Sequence, residues 1–145
     1  MPRHGLRHLV GAAFPGGSYS LAGYENWLAH DALYSAPVAE PHPIMAFVGA
    51  QRGMGMTVAE MFEWFDSDVR DGPLLAACRI EFAGALRVDH PYRVAGVVRS
   101  VERKRGRTLG EFDLVVCEFR LTDDEDTVVA TITNTYAITR EPGAR

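Results

Sequence analysis

The sequence predicts an α+β domain in which one antiparallel sheet wraps around a helix. Three observations predict it. A helix of apolar and very small residues falls at 43–53; four long β-type runs follow at 73–83, 92–101, 111–121 and 127–139; and no further helix lies among those runs. Strands joined without intervening helices pair antiparallel, and the helix supplied beforehand is then available to cover the apolar face of the sheet. At 145 residues the chain fits a single domain, 1–145, that buries about two-thirds of the surface exposed by its unfolded form.

Each element has a local cause. Residues 1–20 contain Gly11, Pro15, Gly16 and Gly17, which break any regular pattern and read as an irregular N-terminal arm with one short strand. At 21–34 a helix places Tyr24, Trp27, Leu28 and Asp31 on one face, with Asn26 and His30 one turn apart on an adjoining face. Pro37, Pro41 and Pro43 then force an extended loop, because each proline also drives its predecessor out of the helical region. Pro43 suits the first position of the next helix, where its missing N–H costs nothing. In that helix Ile44, Phe47, Val48 and Gln51 form one stripe, while Ala46, Gly49, Ala50 and Gly53 form a small-residue stripe that lets it approach a sheet closely. Gly53 and Gly55 end it. Thr57 and Glu60 make a capping box for a short helix with Val58, Met61, Phe62 and Phe65 on its apolar side, and 66–72 is polar turn. The strands alternate with period two: Cys78, Ile80 and Phe82 oppose Arg79 and Glu81, and Ile132, Tyr136 and Ile138 share a face opposite Thr131, Thr133 and Thr135. Gly106 and the acidic 123–126 stretch mark two hairpin ends, and 84–91 marks a third connection.

Composition narrows the function classes. Hydrophobic residues are 47% and charged residues 23% of the chain, and no apolar run approaches the roughly 18 residues of a membrane span. The apolar stretch near the N-terminus is too short and too broken by charge for a secretory signal, so a soluble cytoplasmic protein is expected. A net charge of −4 with a pI near 5.7 argues against nucleic-acid binding. Cys78 and Cys117 both lie in strand-like runs and read as two buried, reduced thiols; no zinc spacing exists, and no metal, nucleotide or flavin cofactor is expected.

The 43–53 helix, then Asp71-Gly-Pro-Leu-Leu, then Ile80-Glu-Phe and Leu86-Arg-Val with Tyr92-Arg-Val-x-Gly96, then a basic turn and two long strands, resembles the hot-dog fold over residues 40–140. More narrowly it is similar to the MaoC-type dehydratase and hydratase branch. That resemblance implies a homodimer or larger assembly with sheets joined edge to edge, and an acyl-thioester substrate carried on coenzyme A or on the phosphopantetheine of a carrier protein, as in fatty acid or polyketide metabolism. It also implies a proton-transfer pair from an Asp-x-Asn-Pro-x-His string ahead of the central helix. The string is absent. The corresponding stretch holds Glu25, Asn26, His30 and Asp31, then Glu40-Pro-His42-Pro43.

Reversible hydration of an enoyl thioester needs a proton carrier near neutral pH, a group that orients water, and backbone donors for the thioester oxygen. His42 fits the first role, with Asp31 or Glu40 orienting it, His30 as a second candidate, and free amides at the start of the helix as the oxygen's donors. The plainer reading is that His42 caps the helix, that His30 and Asp31 decorate a surface, and that Glu40 faces water. Asn26, Pro43, Gln51 and Arg52 are candidates for substrate contact, and Gln51 and Arg52 equally suit a dimer seam. Arg99, Arg103, Lys104, Arg105 and Arg107 suit coenzyme A phosphates or an acidic carrier protein, or form a solvated hairpin tip. Two alternatives stand beside the hydro-lyase. One is a thioesterase using Glu60 or Glu63. The other is a non-catalytic hot-dog subunit that forms a heteromer with a catalytic partner.

Overall fold

A computed structural model describes residues 5–36 and 38–140. The first four residues of the expected arm, Pro37 of the expected loop, and 141–145 lie outside the described residues. Five strands form one antiparallel sheet in the order β1-β3-β4-β5-β2, with β1 at Gly17–Ser20, β2 at Leu74–Phe82, β3 at Pro91–Gly106, β4 at Gly110–Thr122 and β5 at Val128–Thr139. Helix α1 spans Gly23–Ala32, α2 spans Ile44–Gly53 and α3 spans Val58–Trp64. Short 3-10 turns occupy Leu6–Leu9 and Val69–Asp71. The segment after β2 is a crossover and not a hairpin, because β5 and β4 lie between β2 and β3.

Helix α2 packs on β1, β3, β4 and β5 through its small face: Ala46, Gly49, Ala50 and Gly53 are all buried. The fit is tight at two glycines. A Cβ at Gly49 would meet the Tyr19 ring at 2.6 Å, and one at Gly53 would meet Val94 Cγ2 at 2.2 Å. The core beneath is filled by Phe14, Met54, Met61, Phe65, Val98, Val115, Phe119 and Ile132. Phe47 and Trp64 pack partly buried against it, so the bulky side chains of α2 and α3 serve as core. The expected capping box is present, with Glu60 N donating to Thr57 Oγ1 at 3.1 Å and Thr57 N to Glu60 Oε1 at 3.0 Å. Among the described residues no helix is long and apolar enough to cross a membrane.

Three expectations are corrected. Strand β3 runs on to Gly106 instead of ending near 101, because its charged end pairs across the ladder: Arg103 stands opposite Asp113 and Arg105 opposite Glu111. Cys78 is exposed, and only Cys117 is buried, where desolvation pushes its thiol up to about 12. Strand β2 leaves most of its inner face open, with Phe82 45% exposed and Leu74 and Leu75 open to solvent, while Ile80 packs partly buried against the core. It is an edge strand, bonded to β5 alone. Period-two patterning identified the residues sharing its inner face, but among the described residues only Ile80 on that face packs against the core.

Candidate active site

The site is built where α1 meets the 38–43 segment and the start of α2. Helix α1 sits with its polar side inward: Asn26 is 3% and His30 4% exposed, while Tyr24, Trp27 and Leu28 face solvent. The extended segment explains this orientation, since its backbone carries polar groups that need partners. Asn26 Nδ2 donates to Val38 O at 3.2 Å, Ala39 O at 3.4 Å and Glu40 O at 3.2 Å, and Asn26 Oδ1 accepts from His42 N at 3.1 Å. His30 Nε2 donates to Glu40 O at 2.9 Å. A carbonyl can only accept, so the ring proton is on Nε2, and Nδ1 accepts from Ser35 Oγ at 3.1 Å. Both nitrogens of His30 are therefore committed to holding the loop.

His42 has a different assignment. Its Nδ1 accepts from Ile44 N at 3.1 Å, which caps α2 and leaves the ring proton on Nε2. The ring meets His30 edge-on, with centroids 5.3 Å apart. The first amides of α2 are all occupied: Ile44 N by His42 Nδ1, Met45 N by His42 O at 2.9 Å, and Ala46 N by Pro43 O at 3.1 Å. The expected free oxyanion donors are thus absent from this conformation, because His42 and the tight turn at Pro43 use them.

Beside this terminus lies a cavity of about 280 Å³ lined by Glu40, Pro41, Pro43, Phe82, Gly84, Ala85 and Leu86. Its walls are mainly apolar and Glu40 is its one ionisable residue. A second cavity of about 380 Å³ lies against α1 and is lined by Gly23, Asn26, Trp27, Val38, Ala39 and Val88. The structure therefore brings His42, His30 and Asn26 together around the backbone carbonyl of Glu40, whose residue is exposed. Asp31 is exposed and makes no hydrogen bond to His30 or His42 among the described residues.

The other candidates point elsewhere. Gln51 Nε2 donates to Tyr136 Oη at 3.0 Å, under the sheet, and Arg52 forms an ion pair with Glu25 that ties α2 to α1 and holds the Glu25 carboxyl below its ordinary pKa. Most of the basic hairpin is compensated: Arg103 bonds buried Asp113 at 2.6 Å, Lys104 pairs with Glu102 at 3.0 Å, and Arg99 pairs with Glu118 at 2.9 Å, whereas Arg107 has no ion pair among the described residues. Glu60 is spent on its capping box, which lowers its pKa and removes it as a base.

Sequence reasoning missed two features. Anchoring the Asp-x-Asn-Pro-x-His string on Pro43 puts Glu40 at the Asp, His42 at the Asn and Met45 at the His; Met45 is 4% exposed and packed in the core. That alignment was available from the proline alone. Arg140, at the end of β5, is buried and bonds Asp113 Oδ2 at 2.9 Å, Phe65 O at 2.6 Å and Asp66 O at 2.6 Å. No sequence signal marks it, because its partners are set by tertiary contact.

Solved structures of the same architecture exist. The HadBC (3R)-hydroxyacyl-ACP dehydratase complex from Mycobacterium tuberculosis superposes with a TM-score of 0.70 at 13% identity, covering 89% of this chain and 96% of that one. The chain has the hot-dog fold. The ChsH1-ChsH2 complex from the same organism gives a TM-score of 0.69 at 13% identity, over 91% of this chain and 86% of that one. A MaoC-like dehydratase from Rhodospirillum rubrum gives 0.55 at 15% identity, over 96% of this chain and 99% of that one. No family model and no curated protein matches the sequence.

Proposed function

We propose that this chain acts in the reversible dehydration of (R)-3-hydroxyacyl thioesters carried on coenzyme A or a phosphopantetheine arm, as a hot-dog protein of the MaoC-like type. The observation that carries this is the Glu40-Pro-His42-Pro43 segment at the N-terminus of α2, set beside the apolar cavity. The reaction moves one proton off the α-carbon and delivers one to the departing β-hydroxyl. Glu40 lines the cavity and is exposed to solvent, and His42, which lines neither cavity described above, adjoins it between Pro41 and Pro43 with its ring proton on Nε2. The fold of the dehydratases it resembles supports the reading. The bare edge of β2, with Leu74, Leu75 and Phe82 open, supports assembly as a homodimer or larger.

A second reading has its own observation. With Met45 at the position of the string's His, and both ring nitrogens of His30 occupied, this chain holds half of a proton-transfer pair. It then serves as the substrate-shaping subunit of a heteromer whose partner supplies the other half; HadBC and ChsH1-ChsH2 are both complexes. Absorbance of the enoyl-thioester band after mixing the purified chain with crotonyl-CoA separates the two. Decay that His42→Ala and Glu40→Gln abolish establishes the self-sufficient enzyme. A silent chain that binds the thioester, and that restores hydration when combined with a subunit bearing the intact string, establishes the second reading. A chain that neither binds nor turns over any thioester refutes both.

A further inference from the structure

On the mainly apolar inner face of the sheet one polar side chain is left incomplete. Asn134 lies in the middle of β5 with its side chain fully buried, flanked in register by Cys78 of β2 and Cys117 of β4. Its Nδ2 donates to Tyr136 Oη at 3.2 Å, and the same oxygen accepts from Gln51 Nε2 at 3.0 Å. Both lone pairs of Tyr136 Oη are then in use. Its own proton has no acceptor, and Asn134 Oδ1 has no donor, among the described residues. Burial pushes the Tyr136 hydroxyl above its ordinary pKa, so that proton stays in place. Turning the Asn134 amide over moves the deficit without removing it: Oδ1 would take the Tyr136 proton, and the amide N–H groups would lack a second acceptor. An unpaired buried polar group is costly and strands disfavour asparagine, so neither packing nor propensity accounts for Asn134 here.

The cluster borders the open inner face of β2. Its register neighbour Cys78 is exposed, one strand spacing of about 4.8 Å away. Helix α2 and β2 run along this opening in opposite directions. Pro43, at the start of α2, shares a cavity with Phe82 at the end of β2. Gln51, near the end of α2, bonds Tyr136, which stands opposite Leu75 near the start of β2. Between these ends Phe47 and Val48 of α2 and Ile80 of β2 are only partly buried. The cavity and the cluster therefore lie at the two ends of one opening. A second copy joined through β2 would bring its own Leu75, Cys78, Ile80 and Phe82 to this place, and these offer a thiol at best.

We propose that Tyr136 and Asn134, with Gln51, form a recognition site for an aliphatic hydroxyl carried at the far end of the acyl chain. A hydroxyl both donates and accepts, so it completes either orientation of the Asn134 amide, whereas a methyl terminus leaves the deficit in place. Gln51 is the partly buried member of the three, and its side chain is the one that yields when a ligand arrives. From Ile44 to Gln51 the helix climbs seven residues, about 10 Å. An extended chain advances about 1.2 Å per bond, so about eight bonds cover that span, which matches an ω-hydroxyoctanoyl group. This rests on the thioester reading above and names the class of acyl group, which that reading leaves open.

The test is titration calorimetry of hexanoyl-, octanoyl- and decanoyl-CoA and their ω-hydroxy forms on the full chain, on Tyr136→Phe and on Asn134→Leu. Thermal melting checks that each variant is folded. Tyr136→Phe keeps the ring packed against Phe62 and Phe65, with centroids 5.8 and 6.3 Å away, and so stays informative should Asn134→Leu fail to fold. We expect ω-hydroxyoctanoyl-CoA to bind at least about tenfold tighter than octanoyl-CoA, in line with one or two buried hydrogen bonds, and the difference to shrink at the other two lengths. Each variant should abolish that preference while leaving the affinity for octanoyl-CoA within about threefold. Plain chains that bind as tightly as their ω-hydroxy forms at every length overturn the hydroxyl site, assign the cluster to a structural water, and leave the thioester reading standing. A hydroxyl preference that survives both substitutions overturns the location. Binding of none of these ligands overturns the thioester reading itself.

Discussion

Replacing Asn26 should collapse the geometry of the site without touching substrate. Its amide nitrogen has two protons and shares them among the carbonyls of residues 38–40, while its oxygen accepts the His42 amide. Three bonds' worth of pairing is therefore at stake in a residue that is 3% exposed. Asn26→Leu keeps the volume and deletes every partner. The His42 N–H stays buried against α1, whereas Val38, Ala39 and Glu40 lie on the surface and can turn their carbonyls to water. Charging one buried unsatisfied donor in full and the carbonyls in part gives a loss of about 2–4 kcal/mol. Urea denaturation would read that loss as a lower midpoint with an unchanged slope, and hydrogen exchange would show faster exchange at His42 N. Asn26→Asp discriminates further: it keeps the acceptor for His42 N but faces the carbonyls with a carboxylate, so it should fail to restore stability. A loss below about 1 kcal/mol in Asn26→Leu, or recovery in Asn26→Asp, would refute the view that the donor side of Asn26 holds the segment.

Further outcomes follow from other contacts of the fold. His42→Asn keeps a capping side chain on α2 and should cost less than about 0.5 kcal/mol, against about 1 kcal/mol for His42→Ala, so a hydratase activity lost equally in both, measured beside their melting curves, separates catalysis from capping. Arg140→Met breaks a buried pair and should cost about 3–5 kcal/mol by chemical denaturation. Burial alone would raise the Asp113 pKa, but Arg103 and Arg140 outweigh it and hold the carboxyl below the ordinary value. Its stabilising contribution is therefore complete above a pH of about 4 and is lost as pH falls through the lower folded pKa; acid denaturation of Asp113→Asn should lack that component. Gly49→Ala drives a methyl into the Tyr19 ring and should cost about 1–3 kcal/mol in thermal or urea unfolding. Finally, a dimer through β2 has one well-matched register, centred on Ile80, which sets Arg79 against Glu81 of the second copy on the outer face and Cys78 against its Phe82 on the inner face. Phe82→Cys should then form a disulfide-linked dimer with native Cys78 on mild oxidation; crosslinking of the unmodified chain through Cys78 alone would indicate a different register.

The sequence disclosed what depends on neighbours along the chain and concealed what depends on which side of an element is covered. The small stripe of α2, the Thr57–Glu60 capping box and the β4 and β5 ladders were legible because periodicity and capping are local. Helix α1 was half legible. Spacing put Asn26 and His30 on one side and Trp27 and Leu28 on another, but it could not show that the polar side turns inward, since that depends on the unpaired carbonyls of a loop 12–14 residues away. Strand β2 hid its edge position in the same way. At the site, Pro43 made the start of α2 readable and brought Glu40 and His42 to it. The use of His42 Nδ1 as a cap was hidden because it is decided by a rotamer.

That cap has a chemical consequence. Met45 N and Ala46 N are held by backbone oxygens and can be released only by unwinding the first turn of α2. Ile44 N is held by a side chain, and one rotation of His42 would free it. The same rotation would leave Nδ1 unpartnered and able to take a proton. In the free chain the oxyanion donor and the second basic nitrogen of His42 therefore neutralise each other through a single hydrogen bond. A thioester oxygen arriving at the α2 terminus would compete with His42 for Ile44 N, and success in that competition would make the donor and the base available together. The energy at issue is that of one partly buried hydrogen bond, about 1 kcal/mol net, well within what binding an acyl thioester can supply. The shortage of free amides at α2 is thus a property of the ligand-free arrangement of one imidazole, whereas Met45, which stands where a string anchored on Pro43 would carry its His, is fixed in the core. Under the dehydratase reading proposed above, it is Met45 of the two that weighs toward a partner subunit.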